Sequence, residues 1–475
     1  MPPVGGPDTN VEREVKLDAG LRFELPELSD VLPGVVAARL PNAKLQAIYV
    51  DTVDLRLMRW GVTLRHRRDV VGGAGAESGW TVKLPMDADG VALVRNELSW
   101  PGGWGSVPPE VASMVRAQAR TAKLMPVAKL LTERHRVDLR DSSGRKLGEV
   151  DDDVVSVMDG RRLAARFRQV ELEVTEAAPP GLLDAALEVL TAAGAVAGDD
   201  RPKVVRAIGP RASLGPDVVV PTLDAKSTVA AVVSAAVASG VTRMIRHDPG
   251  VRLGDDPEHV HQARVGTRRL RSDLRTLWRL LDPNWSGPIR DELGWLAALL
   301  GNVRDTDVLM GRLRRQIQAL AGVDAKAGAS LLRRLAIQRE EARVRLLEAL
   351  DSDRYVLLLE NLARAAAHPP LVGDSSDAGA VPSVTRAEQA ARAEQAARAE
   401  QAARAEQAEH AAQMARAELA AYRARLGERP PPPSSWATVA AGGGAAITTH
   451  AAANSATATP TNPIPTNPTA ATPSD

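Results

Sequence analysis

Hydrophobic and polar positions change their period twice along this chain. Across residues 11–208, apolar and polar residues alternate in short runs broken by Gly, Pro and Asp, the period-two pattern of strands. Residues 209–222 are rich in Gly and Pro and read as a linker. Residues 223–370 switch to helical spacing in long Leu, Arg and Ala runs. Beyond Gly373 the composition collapses to low complexity. The pattern predicts a disordered N-terminus over 1–10, a strand domain, a linker and a helical domain. A low-complexity Ala/Arg/Glu helix over 371–429 and a disordered tail over 430–475 complete the chain.

Within the strand zone, charged residues recur at alternate positions. Glu12, Glu14 and Lys16 form one such set, and Arg65 with Arg67 another. Arg95 with Glu97, Arg134 with Arg136, the trio Glu149, Asp151 and Asp153, and Glu171 with Glu173 repeat the device. Lys83 shares its face with Thr81. Alternate residues of a strand point the same way. One such pair is the ordinary solvated side of a half-buried sheet. Six or more strands doing this, with both signs present and Val, Leu or Ile on the other face, predict a closed barrel with a charged interior. Buried charges need partners, so both signs must line it.

The helical zone carries one pronounced stripe. From His261, at ~100° per residue, Arg264, Arg268, Arg271, Arg275 and Arg279 share a face, while Leu270, Leu274, Leu277 and Leu281 lie opposite. A solvated basic face is the ordinary explanation. Few acids compensate this one, however, and guanidiniums lacking partners repel unless an anion sits among them. A repeating phosphate chain suits the stripe better than nucleic acid, because no aromatic residue on it could stack on a base.

Composition narrows the classes. At 475 residues, more than one domain is expected, and 44% hydrophobic with 25% charged residues is ordinary for globular protein. There is no cysteine, which excludes disulfides and thiolate metal sites and suits a cytoplasmic location. Residues 1–10 lack the apolar core of a signal peptide, and the apolar stretch 229–241 is too short to span a membrane. Net charge is +1, so any preference for anions must be local. In residues 386–408 a six-residue repeat places Glu388, Glu394 and Glu400 four residues before Arg392, Arg398 and Arg404, the favourable order on a solvated helix.

Converging Lys and Arg neutralise polyphosphates. Clustered carboxylates without Cys select a hard cation such as Mg²⁺ or Mn²⁺. Both in one cavity suggest a metal–triphosphate complex. The residues that say so also resemble a known family. Glu12-Arg13-Glu14-Val15-Lys16 is similar to the ExExK signature of the CYTH domain, the triphosphate tunnel metalloenzyme fold. Tyr49-Val50-Asp51-Thr52, Gly61 to Arg67, Thr81 to Pro85, Glu149-Val150-Asp151, Val170 to Val174 and Pro202 to Arg206 follow in that family's order. The resemblance implies an α+β multidomain chain beginning with an eight-stranded antiparallel β-tunnel. It implies triphosphate binding by Lys16, Arg65, Arg67, Lys83, Arg95, Arg134, Arg136 and Lys203, and metal binding by Glu12, Glu14, Glu149, Asp151, Glu171 and Glu173. The implied cofactor is Mg²⁺ or Mn²⁺. The implied activity is hydrolysis of inorganic triphosphate or a related triphosphate.

Glu258 to Val265, Arg268 to Arg271 and Leu300 to Val308 resemble the signatures of the CHAD domain, an all-α polyphosphate-binding module often fused behind CYTH. This implies inorganic polyphosphate as partner of His261, Arg264, Arg268, Arg271, Arg275 and Arg304, and would allow association with polyphosphate granules. CHAD has two pseudo-symmetric helical halves. Where the second is due, the repeats and the Pro/Thr-rich tail stand instead, so the module reads as halved, and a homodimer would complete it. No membrane and no specific nucleic acid are expected. A non-catalytic polyphosphate-binding protein and a class-IV-type adenylate cyclase are the competing functions.

Overall fold

The computed structural model describes residues 7–70, 78–85, 93–198 and 201–372, and of residues 10–13 and 93–95 the backbone alone. The expectations for residues 373–475 lie outside the described residues. The first part of the chain is built on strands β1 (Asp8–Ala19), β2 (Val36–Arg39), β3 (Ala43–Asp51), β4 (Thr63–Asp69), β5 (Ser78–Pro85), β6 (Leu93–Pro101), β7 (Met125–Arg140), β8 (Lys146–Asp159), β9 (Arg162–Val174) and β10 (Val196–Ala197). Short helices α1 (Arg56–Arg59), α2 (Pro109–Met114), α3 (Arg116–Ala119), α4 (Leu182–Ala192) and α5 (Lys203–Ile208) lie between and after them.

The strands pair in the order β1-β6-β5-β4-β3-β7-β8-β9, and β9 pairs back onto β1, so eight antiparallel strands close into a barrel. β2 and β10 are short additions on β7 and β1. The alternation expected from sequence sets the register. Lys16 faces Glu171, Glu171 faces Asp151, and Asp151 faces Arg136 across consecutive pairs. The long hairpin β7–β8 turns at Gly144, whose φ of 84° only glycine adopts without strain. Asp141 Oδ1 accepts from Ser143 N and Arg145 N there.

Three departures from the sequence reading appear. β1 begins at Asp8, inside the stretch expected to be disordered. The segment beginning at Lys203 is a helix, not a strand. The barrel interior is charged over only part of its length. Ala47, Tyr49, Leu130, Val155, Val157 and Phe167 continue the inward face, and Val204 and Val205 of α5 pack into them. The outer face is covered in two places. α4 and residues 20–35 pack over β1 and β7–β9, and Leu64, Trp80, Val82, Leu98 and Trp100 face the helical domain.

That domain comprises α6 (Val229–Leu253), α7 (Pro257–Thr276), α8 (Pro283–Ile317), α9 (Gly322–Leu350) and α10 (Asp353–Ala367). Side-chain oxygens of Thr228, Asp256, Asp282 and Ser352 cap the starts of α6, α7, α8 and α10, each satisfying an end N–H. Gly254, at φ 72°, ends α6. The apolar stretch 229–241 thus runs on in a helix of 25 residues, long and apolar enough by composition to cross a membrane. It packs instead against α7 and α10. A buried network ties it down: Arg252 Nε donates to Asp248 Oδ1 (2.7 Å) and Tyr355 Oη to Asp248 Oδ2 (2.9 Å).

Barrel and bundle share one hydrophobic core, running from Trp60 and Val115 to Ile245 and Leu359. Polar contacts seal its edge. Glu360 on α10 accepts from Arg56 Nη1 (3.0 Å) and Arg120 Nε (3.1 Å). Asp217 in the linker accepts from Arg120 and from Trp60 Nε1, the latter at 2.8 Å. Arg120 is held at φ 51°, a strained position for a non-glycine residue.

Candidate functional site

Inside the barrel the inward residues form an alternating lattice of charge. Lys203 reaches from α5 to Glu171 (2.5 Å) and Asp153 (2.8 Å). Arg134 forks onto Asp153, Nε to Oδ1 at 2.8 Å and Nη2 to Oδ2 at 2.7 Å, contacts Asp151, and lies 3.6 Å from Glu171. Lys16 donates to Glu14 at 2.5 Å and stands 3.9 Å from Glu171. Lys83 pairs with Glu97 at 2.8 Å, and Arg65 lies 3.8 Å from the same carboxylate. Arg136 Nε donates to Glu149 at 2.6 Å.

The lattice is not neutral everywhere, and its titration behaviour shows where. Burial disfavours the charge of Glu171, yet Lys203, Lys16 and Arg134 hold it well below the usual carboxylate range. Asp153 is lowered in the same way, by Lys203 and Arg134 against burial. Lys203 is raised despite burial by the same carboxylates. Glu149, though buried, is pulled to about 2 by hydrogen bonds from Arg136 and Lys146. Asp151 is pushed up to about 7, by burial first and then by Asp153 and Glu149, against the pull of Arg134. Burial also raises Glu173, with Glu14 and Glu149 adding to it.

Opposite this acidic excess stands a basic one. Arg67 is pushed down to about 10, first by the charge of Arg65, then by burial and by Arg134. A guanidinium rarely moves so far. Arg65 and Arg67 on β4 therefore concentrate positive charge, Glu149, Asp151 and Glu173 on β8 and β9 concentrate negative charge, and Arg134 on β7 stands between them in contact with Asp151.

Of the residues singled out in the sequence, Glu14, Lys16, Arg65, Arg67, Lys83, Arg134, Arg136, Glu149, Asp151, Glu171, Glu173 and Lys203 share this interior. Glu12 and Arg95 pair across β1 and β6, but their side chains lie outside the described residues. Among the described residues no three His, Asp or Glu side chains are placed to enclose an ion. The carboxylates are turned to lysine and arginine instead. Sequence reasoning missed two hubs. Asp153 was visible only as the third member of an alternating trio, and Glu97 only as the neighbour of Arg95.

The donor set nonetheless fits a hard cation. It is all carboxylate oxygen, and Asp151 Oδ1 is buried with no hydrogen-bond partner. A divalent ion there would offset the burial that chiefly raises Asp151 and the repulsion from Asp153 and Glu149 that adds to it.

On the bundle, His261, Arg264, Arg268, Arg271 and Arg275 lie along α7, but the helix stops at Thr276. Leu277, Arg279 and Leu281 therefore fall beyond it, which corrects the longer stripe read from sequence. Arg264 is not unpaired, since Asp305 on α8 lies 3.6 Å away. Glycines of α8 make room for the stripe. A Cβ added at Gly301 would sit 3.6 Å from Arg264 Nε, and one at Gly294 3.8 Å from Arg271 Nη2. Arg304 lines an open groove of about 450 Å³ with Pro257, Asp307, Arg312 and Arg315. The last two arginines were not anticipated, because they sit outside the α7 pattern.

Comparison with known proteins finds the same two domains in the same order, with the second match running past residue 370, where the sequence reading ended the helical domain. The family model for the CYTH domain matches residues 10–208, and that for the CHAD domain matches 235–436. The uncharacterized proteins Rv2226 and MT2285 of Mycobacterium tuberculosis are each 31% identical over 379 residues, covering 73% of this chain and 70% of theirs. Among solved structures, PptA from Streptomyces chartreusis is 25% identical over 36% of this chain and 58% of its own, with a TM-score of 0.30. HpAC1 from Hippeastrum, described as having a dominant triphosphatase activity, is 18% identical over 41% of this chain and 94% of its own, with a TM-score of 0.26.

Proposed function

Because this chain belongs to the family that joins a CYTH domain to a CHAD domain, we propose that its barrel hydrolyses inorganic triphosphate or a related triphosphate and that its bundle holds inorganic polyphosphate. The observation that carries the first half is the convergence of Lys16, Arg65, Arg67, Lys83, Arg134 and Lys203 with the carboxylates of β1, β8 and β9 inside one closed barrel. Arg67 is depressed to about 10 because Arg65 and Arg134 crowd it inside a closed barrel. A triphosphate oxyanion placed there removes that repulsion. A hard cation on the acidic wall, held by Glu14, Glu149, Asp151, Glu171 and Glu173, would polarise a phosphoryl oxygen of the same ligand.

Binding on this reading is an exchange of partners. Lys16, Lys83, Arg134, Arg136 and Lys203 are held in place by carboxylates, so little reorganisation precedes contact with phosphate. A metal-bound triphosphate brings both signs of charge at once, which lets each wall keep a counter-charge throughout. The closed wall and the apolar residues around Phe167 keep bulk water from screening these contacts. On the bundle, the arginines of α7 with Arg304 supply a line of cations for a longer phosphate chain.

The test is phosphate release by the full chain from tripolyphosphate with Mg²⁺ or Mn²⁺. Turnover lost in Arg67→Ala and in Glu14→Gln supports the reading. No release from tripolyphosphate or any nucleoside triphosphate, with binding retained, makes the barrel a receptor. Cyclic AMP from ATP makes it a cyclase. His261→Ala with Arg264→Ala should weaken binding of long-chain polyphosphate while leaving barrel turnover intact.

A further inference from the structure

Helix α9 (Gly322–Leu350) buries one side against the bundle through Ala327, Gly328, Leu335, Ala342 and Leu346. Its opposite side carries Ile337, 61% exposed, and Val344, 46% exposed. Around Ile337 the charges follow a rule. Arg333 and Arg334 precede it by four and three residues, and Glu340 and Glu341 follow it by three and four. Lys326 precedes it by eleven residues and Glu348 follows it by eleven. All these side chains are exposed. At ~100° per residue they lie within roughly 60° of Ile337, while the buried Gly328, Leu335, Ala342 and Leu346 lie on the far side and Ala327 at its edge. None of these six charged side chains is ion-paired among the described residues.

Glu340 and Glu341 have Arg343 and Arg345 three and four residues further on, but the wider order of these six charges does not serve the helix. Lys326 near the start of α9 and Glu348 in its last turn each oppose the helix dipole. The order is the one that an antiparallel copy of the same helix requires. Turned about a two-fold axis at Ile337, the Arg333–Arg334 pair meets Glu340–Glu341 of the copy, and Lys326 meets Glu348. Each contact occurs twice, as an isologous interface demands. Ile337 meets itself on the axis, and Val344 meets the small Ser330. The seam from Lys326 to Glu348 runs about 33 Å at ~1.5 Å per residue.

We infer that this face of α9 is a self-association surface whose occupant is a second copy of the chain, packed antiparallel about Ile337. The inference is independent of the proposed activity, since it rests on the charge order of α9 alone. A homodimer formed this way keeps the α7 stripe out of the seam, because α7 packs against α6 and α8 rather than α9.

Charge reversal in two halves tests it on the full chain. Sedimentation should show a species of twice the 50.4 kDa chain mass that dissociates as salt is raised. Arg333→Glu with Arg334→Glu, and separately Glu340→Arg with Glu341→Arg, should each weaken dimerisation about tenfold or more. Mixing the two variants one to one should restore the dimer, because each then offers what the other needs. The chain has no cysteine, so Ile337→Cys supplies a unique thiol that should cross-link to its copy under mild oxidation. Leu357→Cys, equally exposed on α10, should not. A monomer throughout, including one in which residues 373–475 cover the face, overturns the inference. So does a dimer insensitive to both reversals, or variants that fail to rescue each other.

Discussion

Lys203 is the side chain on which the barrel's charge lattice depends most. It enters from α5, not from a strand, and its Nζ stands 2.5 Å from Glu171 and 2.8 Å from Asp153. Asp153 is fully buried and the side chain of Lys203 is 11% exposed. Replacing it by methionine keeps most of the volume and removes the charge. Breaking a buried pair by deleting one partner costs about 3–5 kcal/mol. Arg134 remains beside both carboxylates and offsets part of the loss. Lys203→Met is therefore expected to destabilise the folded chain by about 3 kcal/mol at neutral pH.

The pH dependence carries the sharper signature. Glu171 and Asp153 have depressed folded values, so their pairing stabilises above the unfolded carboxylate range and fades as pH falls below it. Lys203 has a raised folded value, so its contribution is complete below its ordinary value of 10.5 and fades above it. The difference between wild type and variant should form a plateau between those limits and narrow on the acid side. Denaturant unfolding followed by circular dichroism at about pH 7 and about pH 4 measures it. A loss under about 1 kcal/mol at neutral pH, or one unchanged at acid pH, would refute the picture of a buried, mutually ionised lattice.

Other substitutions probe other joints. Asp151, pushed up to about 7, favours its protonated form when folded, so it destabilises increasingly as pH rises from its ordinary value through 7; Asp151→Asn should raise the melting temperature at pH near 8 and raise it less near pH 5, and equal effects at both would contradict the assignment. A Cβ at Gly250 would fall 2.2 Å from the ring of His259, so Gly250→Ala should destabilise by about 2 kcal/mol despite alanine's better helix propensity. Adding His259→Ala should recover most of that, measured as a double-mutant cycle. Glu360→Gln removes the carboxylate shared by Arg56 and Arg120, so scanning calorimetry should show barrel and bundle melting further apart in the variant than in the wild type.

The part of this architecture that could be read in advance is the part that side-chain alternation encodes. Period two in Glu12, Glu14 and Lys16, or in Glu149, Asp151 and Asp153, states which residues share a face before any pairing is known. Closure of the sheet then follows from the need to partner buried charges. What alternation cannot encode is where the charge ends. Val155 and Val157 continue the inward face of β8, and from sequence they are indistinguishable from an outward apolar run. Lys203 and its Val-Val neighbours read equally as strand or helix, because six residues are too few to fix a period. The α7 stripe was legible as an amphipathic helix, yet its end at Thr276 depends on packing, since Leu, Trp and Arg past that point keep the helical spacing.

The junction between the domains was the least legible feature and has the largest consequence. No motif marks Arg120, Asp217 or Glu360, because they come from a short helix end, a linker and the last described helix of the bundle. Together they convert residues 209–222 from a tether into a strut. Asp217 is fixed to Arg120 and Trp60, and the apolar core continues from the outer face of β4–β6 into α6 and α10. A flexible tether would bring a bundle-bound chain to the barrel only at a time-averaged concentration. A strut instead fixes the distance and direction from the α7 arginines to the barrel mouth. If the bundle holds a long phosphate chain while the barrel takes a short one, the geometry admits an end of the bound chain to the barrel only when the chain is long enough to span that distance. Turnover of polyphosphate by the full chain should then depend on chain length as a step, and Glu360→Gln, by loosening the strut, should smooth it. A length dependence equally smooth in both proteins would show that the rigid junction plays no part in handing phosphate from one domain to the other.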